Sequence, residues 1–312
     1  MDLSRLWTIV LAGGDGTRVR ELAVDASGTP LPKQYWSLDG GPSLLRATID
    51  RLRPLTCDER IVTIVAASHR RWWREQLADM PPRNVVVQAS NRGTAAGVLL
   101  PLLHVLERDP DATVVITPSD HWVERGDLLR LAVGRAVAAI DETPGRVVLL
   151  TVAPTSRDHD YGWVVPRRGS GATPKGVRTF VEKPDAERCI ALRRRGGQIN
   201  SMIVVARGRA LRNLFYLATP HLLWDLVAHR TGRGIGDYDA VPKLDFSRDV
   251  LTPLADRLSM MPIPPCGWTD VGTPYRVARV LEERTRRRAR EAPGVVSRLS
   301  VREVAHGEST VR

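Results

Sequence analysis

Through the first half of the chain, short runs of β-branched and aliphatic residues alternate with longer stretches whose apolar positions recur every three or four residues. Thr8 to Leu11, Ile61 to Ala66, Val85 to Gln88, Val114 to Thr117 and Val147 to Val152 read as strands, and Ser43 to Leu52, His69 to Met80, Thr94 to Glu107 and Asp127 to Ile140 as helices. Such alternation implies right-handed βαβ crossovers and a mostly parallel sheet with helices on both faces. Ligands of such sheets sit at the carboxyl ends of the strands.

After about residue 155 the pattern changes. Strand-like runs at Gly162 to Pro166, Gly176 to Glu182 and Ile199 to Ala206 are separated by helices at Ala186 to Arg195 and Arg209 to Leu217. This half reads as a lobe that elaborates the first sheet rather than as an independent repeat. A final helix is predicted from about Pro274 to Arg290, stopped by Ala292-Pro293-Gly294. The expected layout is therefore one domain over residues 1–292, with halves of about 1–155 and 156–292, and a tail over 293–312 that is loosely ordered or an oligomer contact. No internal repeat or low-complexity tract interrupts it.

A length of 312 residues with 43% hydrophobic content supports a sizeable core and excludes a disordered chain. The formal charge, 46 basic minus 35 acidic, is +11, and Lys33, Lys175, Lys183 and Lys243 are the only lysines, which leaves 42 arginines. That skew reads as a compositional bias before it reads as a binding surface. The densest runs, Arg193 to Arg195 and Arg284 to Arg290, fit solvated helix faces, with a phosphate-backbone surface as the alternative. Trp72-Trp73 beside Arg70-Arg71 fits a stacking platform or a buried helix face equally. Cys57, Cys189 and Cys266 lie far apart, so neither a disulfide framework nor a zinc knuckle is indicated and a reducing cytoplasm is expected. Apolar stretches such as Val98 to Leu106 fall short of the ~20 residues that a bilayer span requires. Leu6 to Ala12 runs into glycines, not a small-residue cleavage site, and is expected to be a first strand rather than a signal peptide.

Gly13-Gly14-Asp15-Gly16-Thr17-Arg18 follows that strand. Glycines there let backbone N–H groups approach a polyphosphate, and Arg18 can fork onto its oxygens, although a tight strand-to-loop turn would use the same residues. The loop is neither a Walker A sequence nor a full dinucleotide fingerprint. Fifteen residues beyond Arg18, Pro32-Lys33-Gln34 offers a second positive charge for a developing phosphorane. Leu-Ala-Gly-Gly-Asp-Gly-Thr-Arg followed by Pro-Lys-Gln resembles the sugar-1-phosphate nucleotidyltransferases, most of all the mannose-1-phosphate guanylyltransferases, and ordered motifs carry the resemblance over roughly residues 5 to 280. It implies the nucleotide-diphospho-sugar transferase fold, an α/β Rossmann-like core with a mixed, mostly parallel sheet and an elaborated sugar-binding lobe.

Further motifs extend the resemblance. Gln88-Ala89-Ser90-Asn91-Arg92-Gly93-Thr94-Ala95 joins a strand to a helix start, which can receive a phosphate or a base edge, or be capped by Asn91 or Thr94. It is similar to the family segment Gln-Pro-x-Asn-Arg-Gly-Thr-Ala-Pro-Ala that contacts purine and ribose, with Ala89 and Gly97 departing from it. Asp120, in Thr117-Pro118-Ser119-Asp120-His121, stands at a strand's carboxyl end, where a carboxylate can bridge a hard cation to phosphates or cap a helix. Asp270, in Gly267-Trp268-Thr269-Asp270-Val271-Gly272, is its family partner, and the resemblance implies one magnesium ion on the two aspartates; His121 is left as a supporting or structural residue. Asp158-His159-Asp160 cannot converge as a zinc cluster on an extended chain.

Tyr161-Gly162-Trp163-Val164 resembles the sugar-binding turn. Phe180-Val181-Glu182-Lys183-Pro184 matches a segment supplying a carboxylate for sugar hydroxyls and a cation for the sugar phosphate, although strand alternation requires a bend for both to reach one ligand. Gln198-Ile199-Asn200-Ser201-Met202 is similar to the family's Trp-Asn-Ser-Gly-Met, which assigns Asn200 to the sugar, and Asp245 to Val250 corresponds to a wall of that site.

The resemblance thus implies transfer of a nucleotidyl group from GTP to mannose 1-phosphate. Gly13, Gly14, Gly16, Thr17, Gln88, Asn91, Gly93 and Thr94 would bind the nucleotide, Arg18 and Lys33 would be catalytic, Gly162, Glu182, Lys183 and Asn200 would hold the sugar phosphate, and Asp120 and Asp270 the magnesium. Residues 1–155 become the nucleotide-binding half and 156–292 the sugar-phosphate half. Alternatives are a thymidylyl- or uridylyltransferase acting on glucose 1-phosphate, and a basic nucleic-acid-binding or regulatory protein on the same fold. The expected partners are the two small substrates, with no nucleic acid and no membrane, and with room for a homodimer. A second, C-terminal catalytic domain is not expected.

Overall fold

The computed structural model describes residues 3–25, 27–155, 159–169, 173–232 and 237–291. The expectations for the tail 293–312, for the helix stop at Pro293-Gly294 and for Asp158 fall outside the described residues, and the side chain of Thr17 is likewise undescribed.

Among the described residues nine strands form one sheet: β1 (Leu6–Ala12), β2 (Ile61–Ala66), β3 (Val85–Gln88), β4 (Thr113–Pro118), β5 (Val147–Val152), β6 (Gly162–Pro166), β7 (Lys175–Glu182), β8 (Gln198–Arg207) and β9 (Leu258–Pro262). Their order is β3-β2-β1-β4-β8-β5-β9-β7-β6. The helices are α1 (Leu44–Leu52), α2 (Arg70–Gln76), α3 (Gly93–Arg108), α4 (Gly126–Glu142), α5 (Ala186–Arg194), α6 (Gly208–Ala218), α7 (Pro220–Thr231) and α8 (Pro274–Glu291).

Side-chain alternation along β1 shows how the layers are built. Trp7 and Ile9 point to one face and pack with Leu99, Leu102 and Leu106 of α3, Leu211 and Phe215 of α6, and Leu222 and Leu226 of α7. Leu6 points to the other face, among Leu129, Val133 and Val137 of α4. Val10 and Ala12 share that parity and meet Leu45 and Ile49 of α1. A strand covered on both faces has no polar side to show, so β1, β2 and β4 are apolar at nearly every position. Each such side chain contributes ~1.5–3 kcal/mol on burial.

β3, β2, β1 and β4 run parallel, as the alternation of strands and helices predicted. The parallel run then stops, because β8 inserts antiparallel between β4 and β5. β7 also runs against its neighbours β6 and β9, so the sheet is mixed, and the parallel portion is confined to the first four strands and the β5–β9 pair. Two elements, α7 and β9, were not anticipated. α2 is shorter than the predicted His69 to Met80: Leu77 and Met80 turn into the core beside Val10, and Met80 precedes Pro81-Pro82, where helical backbone is disfavoured. The Trp72-Trp73 pair resolves as packing, with Trp72 stacked on Tyr35 at 6.1 Å and Trp73 donating through Nε1 to the Ala66 carbonyl at 2.9 Å. Among the described residues no helix is long and apolar enough to cross a membrane.

Candidate active site

The carboxyl ends of β1, β3 and β4 open into a cavity of about 610 Å³. Gly13, Gly14, Gln88, Asn91, Gly93, Thr94 and Asp120 line it, together with Gln34, His121, Met202, Lys243, Asp245 and Arg248. The glycine loop is held from below by Gln34, whose Nε2 donates to the carbonyls of Ala12 and Gly14, both at 2.9 Å. Gly16 has φ +59°, and a Cβ there would lie 2.8 Å from Lys33 Cβ and 2.9 Å from Lys33 N. The loop and the Lys33 segment therefore pack backbone against backbone, which only glycine permits.

Lys33 is buried, and its Nζ pairs with Asp120 Oδ2 at 2.9 Å while donating to the Asp270 carbonyl. One ammonium thus joins two loops 150 residues apart in sequence. Burial raises the Asp120 pKa, but the Lys33 ammonium and His121 outweigh it and the carboxyl is held below its ordinary range. For Asp270 burial is again opposed, by His121, Arg276 and Lys33 and by the Tyr161 hydroxyl, with a net lowering. Burial pushes the His121 imidazole below its ordinary range, with Asp120 opposing. Its Nδ1 accepts from Trp268 Nε1 at 3.2 Å, and its Nε2 lies 3.7 Å from Asp120 Oδ1. Tyr161, 5.7 Å from the Trp268 ring, donates its hydroxyl to Asp270 Oδ1 at 2.8 Å. Arg18 is exposed, and its Nη2 lies 3.4 Å from where a Gly272 Cβ would stand, a point 2.5 Å from Asp270 Oδ2.

At the far side of the cavity Gln88 is buried between Gly13 and Gly97, and its Oε1 has no hydrogen-bond partner among the described residues. A buried acceptor without a donor is costly unless a ligand supplies one. Asn91 donates through Nδ2 to Asp15 Oδ2 at 2.9 Å and accepts the Gly93 N–H at 3.0 Å, which ties the glycine loop to the start of α3. At this helix start the Leu244 carbonyl takes the Ala95 N–H at 3.1 Å, and Thr94 Oγ1 accepts the Phe246 N–H at 2.8 Å. Gly93 serves that contact, since its φ is +82° and a Cβ would sit 2.2 Å from Leu244 O.

The sugar-phosphate candidates form a neighbouring cluster. Gly162 faces Glu182 across β6 and β7, and a Cβ on it would come within 2.7 Å of Glu182 Oε2 and 2.8 Å of the Phe180 ring. Lys183 leaves the strand at φ +45°, its N–H donating to Tyr161 O at 3.1 Å, so the required bend occurs at the lysine itself and brings Nζ within 3.9 Å of Glu182 Oε1. Burial, then Asp245, pushes the Glu182 carboxyl up, against Lys183 and Arg248. Asp245 links the two clusters by accepting from Thr94 Oγ1 at 3.1 Å. Asn200 is buried with its Oδ1 on the Met202 N–H at 3.2 Å, where β8 slips register against β5; among the assigned residues it is the one whose amide is turned onto its own strand.

Gln34, Trp268 and Arg276 were not anticipated. Gln34 stands beside Lys33 in the motif, but nothing in a sequence indicates that its amide grips the glycine loop. Arg276 is one of many arginines and carries no motif of its own.

Fold and site together define an α/β protein of the nucleotide-diphospho-sugar transferase fold, with a strand-end glycine loop and Asp120 lining one cavity and a buried lysine joining Asp120 to the Asp270 segment beside it. The chain belongs to the nucleotidyl transferase family, which it matches over residues 7–285. It is similar to the xanthan biosynthesis protein XanB of Xanthomonas campestris pv. campestris (strain B100), 32% identical over 59% of this chain and 38% of that protein. It is also similar to the mannose-1-phosphate guanylyltransferase ManC of Salmonella typhimurium (strain LT2), 29% identical over 88% of this chain and 59% of that one. The chain therefore spans less than two thirds of the length of these relatives. A crystal structure from Thermus thermophilus, described as a mannose-1-phosphate geranyltransferase, superposes with a TM-score of 0.75 at 26% identity over 86% of this chain and 76% of that one. The inositol-1-phosphate CTP transferase of T. maritima shares the fold, with a TM-score of 0.59 at 15% identity over 94% of this chain and 98% of that one.

Proposed function

We propose that the protein transfers a guanylyl group from GTP to mannose 1-phosphate in the cytoplasm, forming GDP-mannose and pyrophosphate. An oxygen of the sugar phosphate attacks the α-phosphorus, and the bond to the pyrophosphate oxygen breaks. The attacking phosphate is already anionic near neutral pH, so the protein's work is alignment and charge neutralisation rather than proton transfer. Gly13 and Gly14 border the triphosphate, Arg18 holds the departing pyrophosphate, and Lys33 stabilises charge at the α-phosphoryl. Gln88 offers its unpaired Oε1 to the donor edge of the base, with Asn91 beside it, while Gly162, Glu182 and Lys183 receive the sugar phosphate.

The carboxylates of Asp120 and Asp270 supply only hard oxygen donors, which suits a magnesium ion that takes one or two carboxylates and fills its shell with phosphate oxygens and water. Bound there, the ion would neutralise phosphate charge. The observation that carries this reading is the Lys33 ammonium set between Asp120 and the Asp270 carbonyl at the cavity edge. The names of the relatives support the choice of mannose 1-phosphate and GTP.

The test is pyrophosphate release with magnesium from each pairing of GTP, UTP, dTTP, ATP and CTP with several hexose 1-phosphates. GTP with mannose 1-phosphate is expected to turn over fastest. Turnover led by dTTP or UTP with glucose 1-phosphate would overturn the base and sugar assignment and leave the mechanism; no turnover with any pair would overturn the reaction itself.

A further inference from the structure

We propose that Arg276, on the first turns of α8, is a positioning residue that fixes the Asp270 carboxylate so that one oxygen, Oδ2, is presented to a cation, while weakening that carboxylate's hold on the cation. The inference rests on the reading of Asp270 as a metal ligand.

The two oxygens of Asp270 are unequally engaged. Oδ1 accepts from Tyr161 OH at 2.8 Å, from Arg276 Nη1 at 3.1 Å and from Gly272 N at 3.2 Å. Oδ2 receives, among the described residues, only the longer Arg276 Nη1 contact at 3.3 Å. Beside Oδ2 stands Gly272, where any Cβ would come within 2.5 Å of it, so no side chain of that residue blocks the oxygen, and Arg18 Nη2 lies 3.4 Å from the same point. Three donors on one oxygen fix the rotation of the carboxylate and leave the other to coordinate.

Arg276 is itself held on three sides. Its side chain is 12% exposed, its Nη2 pairs with Asp160 Oδ2 at 3.3 Å, and its guanidinium lies 4.4 Å from the centre of the Tyr161 ring. A planar fork engages two carboxylates and a ring face together, which a lysine ammonium cannot reproduce.

Helix α8 sets where this fork stands relative to every charged group assigned above. Val277 and Val280 pack with Val19, Leu38, Leu44 and Val271. Arg284 pairs with Asp39 and lies 4.9 Å from the Trp122 ring, and Arg287 meets Glu124 at 2.6 Å. Val19 follows Arg18, Leu38 and Asp39 follow the Lys33 turn, Trp122 and Glu124 follow Asp120, and Val271 follows Asp270. One helix therefore touches the segments of Arg18, Lys33, Asp120 and Asp270, and Arg276 is the side chain it places on the carboxylate itself.

Removing this cation has two opposite effects. A positive charge that repels the ion and offsets the carboxylate is gone, so a divalent ion binds more tightly, by on the order of tenfold for a unit charge withdrawn a few ångströms from the ion in a solvated cleft. The carboxylate also loses its orientation, so turnover slows, by about tenfold for a modest misplacement. A purely structural residue would not tighten metal binding when lost.

The test titrates the full chain with Mn²⁺ by electron paramagnetic resonance, alone and with a non-hydrolysable GTP analogue, alongside steady-state kinetics at saturating metal and thermal melting. Arg276→Met is expected to bind Mn²⁺ about tenfold more tightly and to lose about tenfold in kcat with both KM values little changed. Arg276→Lys, which keeps the charge but not the fork, is expected to hold the parent metal affinity and still lose kcat, and it carries the test if the methionine variant does not fold. Unchanged or weaker Mn²⁺ binding in Arg276→Met, or full parent kcat in Arg276→Lys, would overturn the role of Arg276. If Asp270→Asn leaves Mn²⁺ binding as in the parent, the metal-ligand reading of Asp270 fails first, and the inference with it.

Discussion

Gly14 and Gly16 lie two residues apart in one loop, yet their surroundings differ, and alanine at each position separates a ligand contact from a packing contact. A Cβ on Gly14 meets nothing within 4 Å, and its backbone is not left-handed. Gly14→Ala should therefore be tolerated by the fold, or gain up to about 0.4–1 kcal/mol from a less flexible unfolded chain. At Gly16 the backbone is left-handed, φ +59°, which costs an alanine ~1–2 kcal/mol. Its Cβ would also stand 2.8 Å from Lys33 Cβ and 2.9 Å from Lys33 N, inside ordinary contact, so the Lys33 segment must move. Together these predict a Tm lowered by roughly 3–6 °C or more, with kcat reduced because the ammonium leaves its place between Asp120 and Asp270. Gly14→Ala should instead keep its Tm and raise KM for the nucleoside triphosphate by about tenfold or more, because a methyl group then stands where backbone approaches phosphate. Calorimetric melting and pyrophosphate-release kinetics on the two variants separate the two effects. A Gly14→Ala protein with parent KM and parent Tm would show that the triphosphate does not lie against that residue, and equal melting losses in both variants would refute the steric argument.

Three more expectations follow from the same geometry. Lys33→Met should lower kcat by roughly 10²–10³, the scale of losing one preorganised charge at a phosphoryl group, as measured under saturating substrates; a loss below about threefold would remove Lys33 from the chemistry. Gly162→Ala should raise KM for the sugar phosphate while sparing that for the triphosphate, since its Cβ would displace Glu182 Oε2 from 2.7 Å, and an equal rise in both would place Gly162 elsewhere. Asp79 is held down to about 2, chiefly by the Arg46 hydrogen bond. With its folded pKa depressed, its stabilisation is present above the unfolded value near 3.8 and is lost as pH falls through about 2. Because its side chain is 49% exposed, solvent screening limits the effect to about 1 kcal/mol or less. The Tm gap between the parent and Asp79→Asn should close as pH is lowered from about 5 toward 2, and a gap constant over that range would refute the assignment.

Much of the fold could be read from local pattern. Strands β1 to β5 and helices α1, α3 and α4 lie within a residue or two of where periodicity put them, because their burial is built into every turn of sequence. The missed elements lack that signal. β9 is five residues, Leu-Ser-Met-Met-Pro, without alternation, and is a strand because β5 and β7 lie on either side of it. α7 exposes Trp224 and buries Leu222, Leu223 and Leu226, so its apolar residues do not trace one stripe. The antiparallel insertion of β8 was equally hidden, since a buried antiparallel strand and a buried parallel one carry the same residues.

The sequence by itself determined the chemistry available: a glycine loop after a first strand, a lysine after a proline, and aspartates at strand and loop ends. Spacing along the chain could assign these groups to strand ends because a parallel sheet lines its carboxyl ends along one edge. Only the tertiary structure decided what they do to one another. Lys33 meets Asp120 and Asp270, Gln34 grips the loop from beneath, and the Leu244 carbonyl takes the Ala95 N–H at the start of α3. Arg276 became part of the site in the same way, through Val277 and Val280 anchoring α8 across four distant segments. Contacts of this kind depend on distance through space, which falls off within a few ångströms, and no local pattern of residues records it.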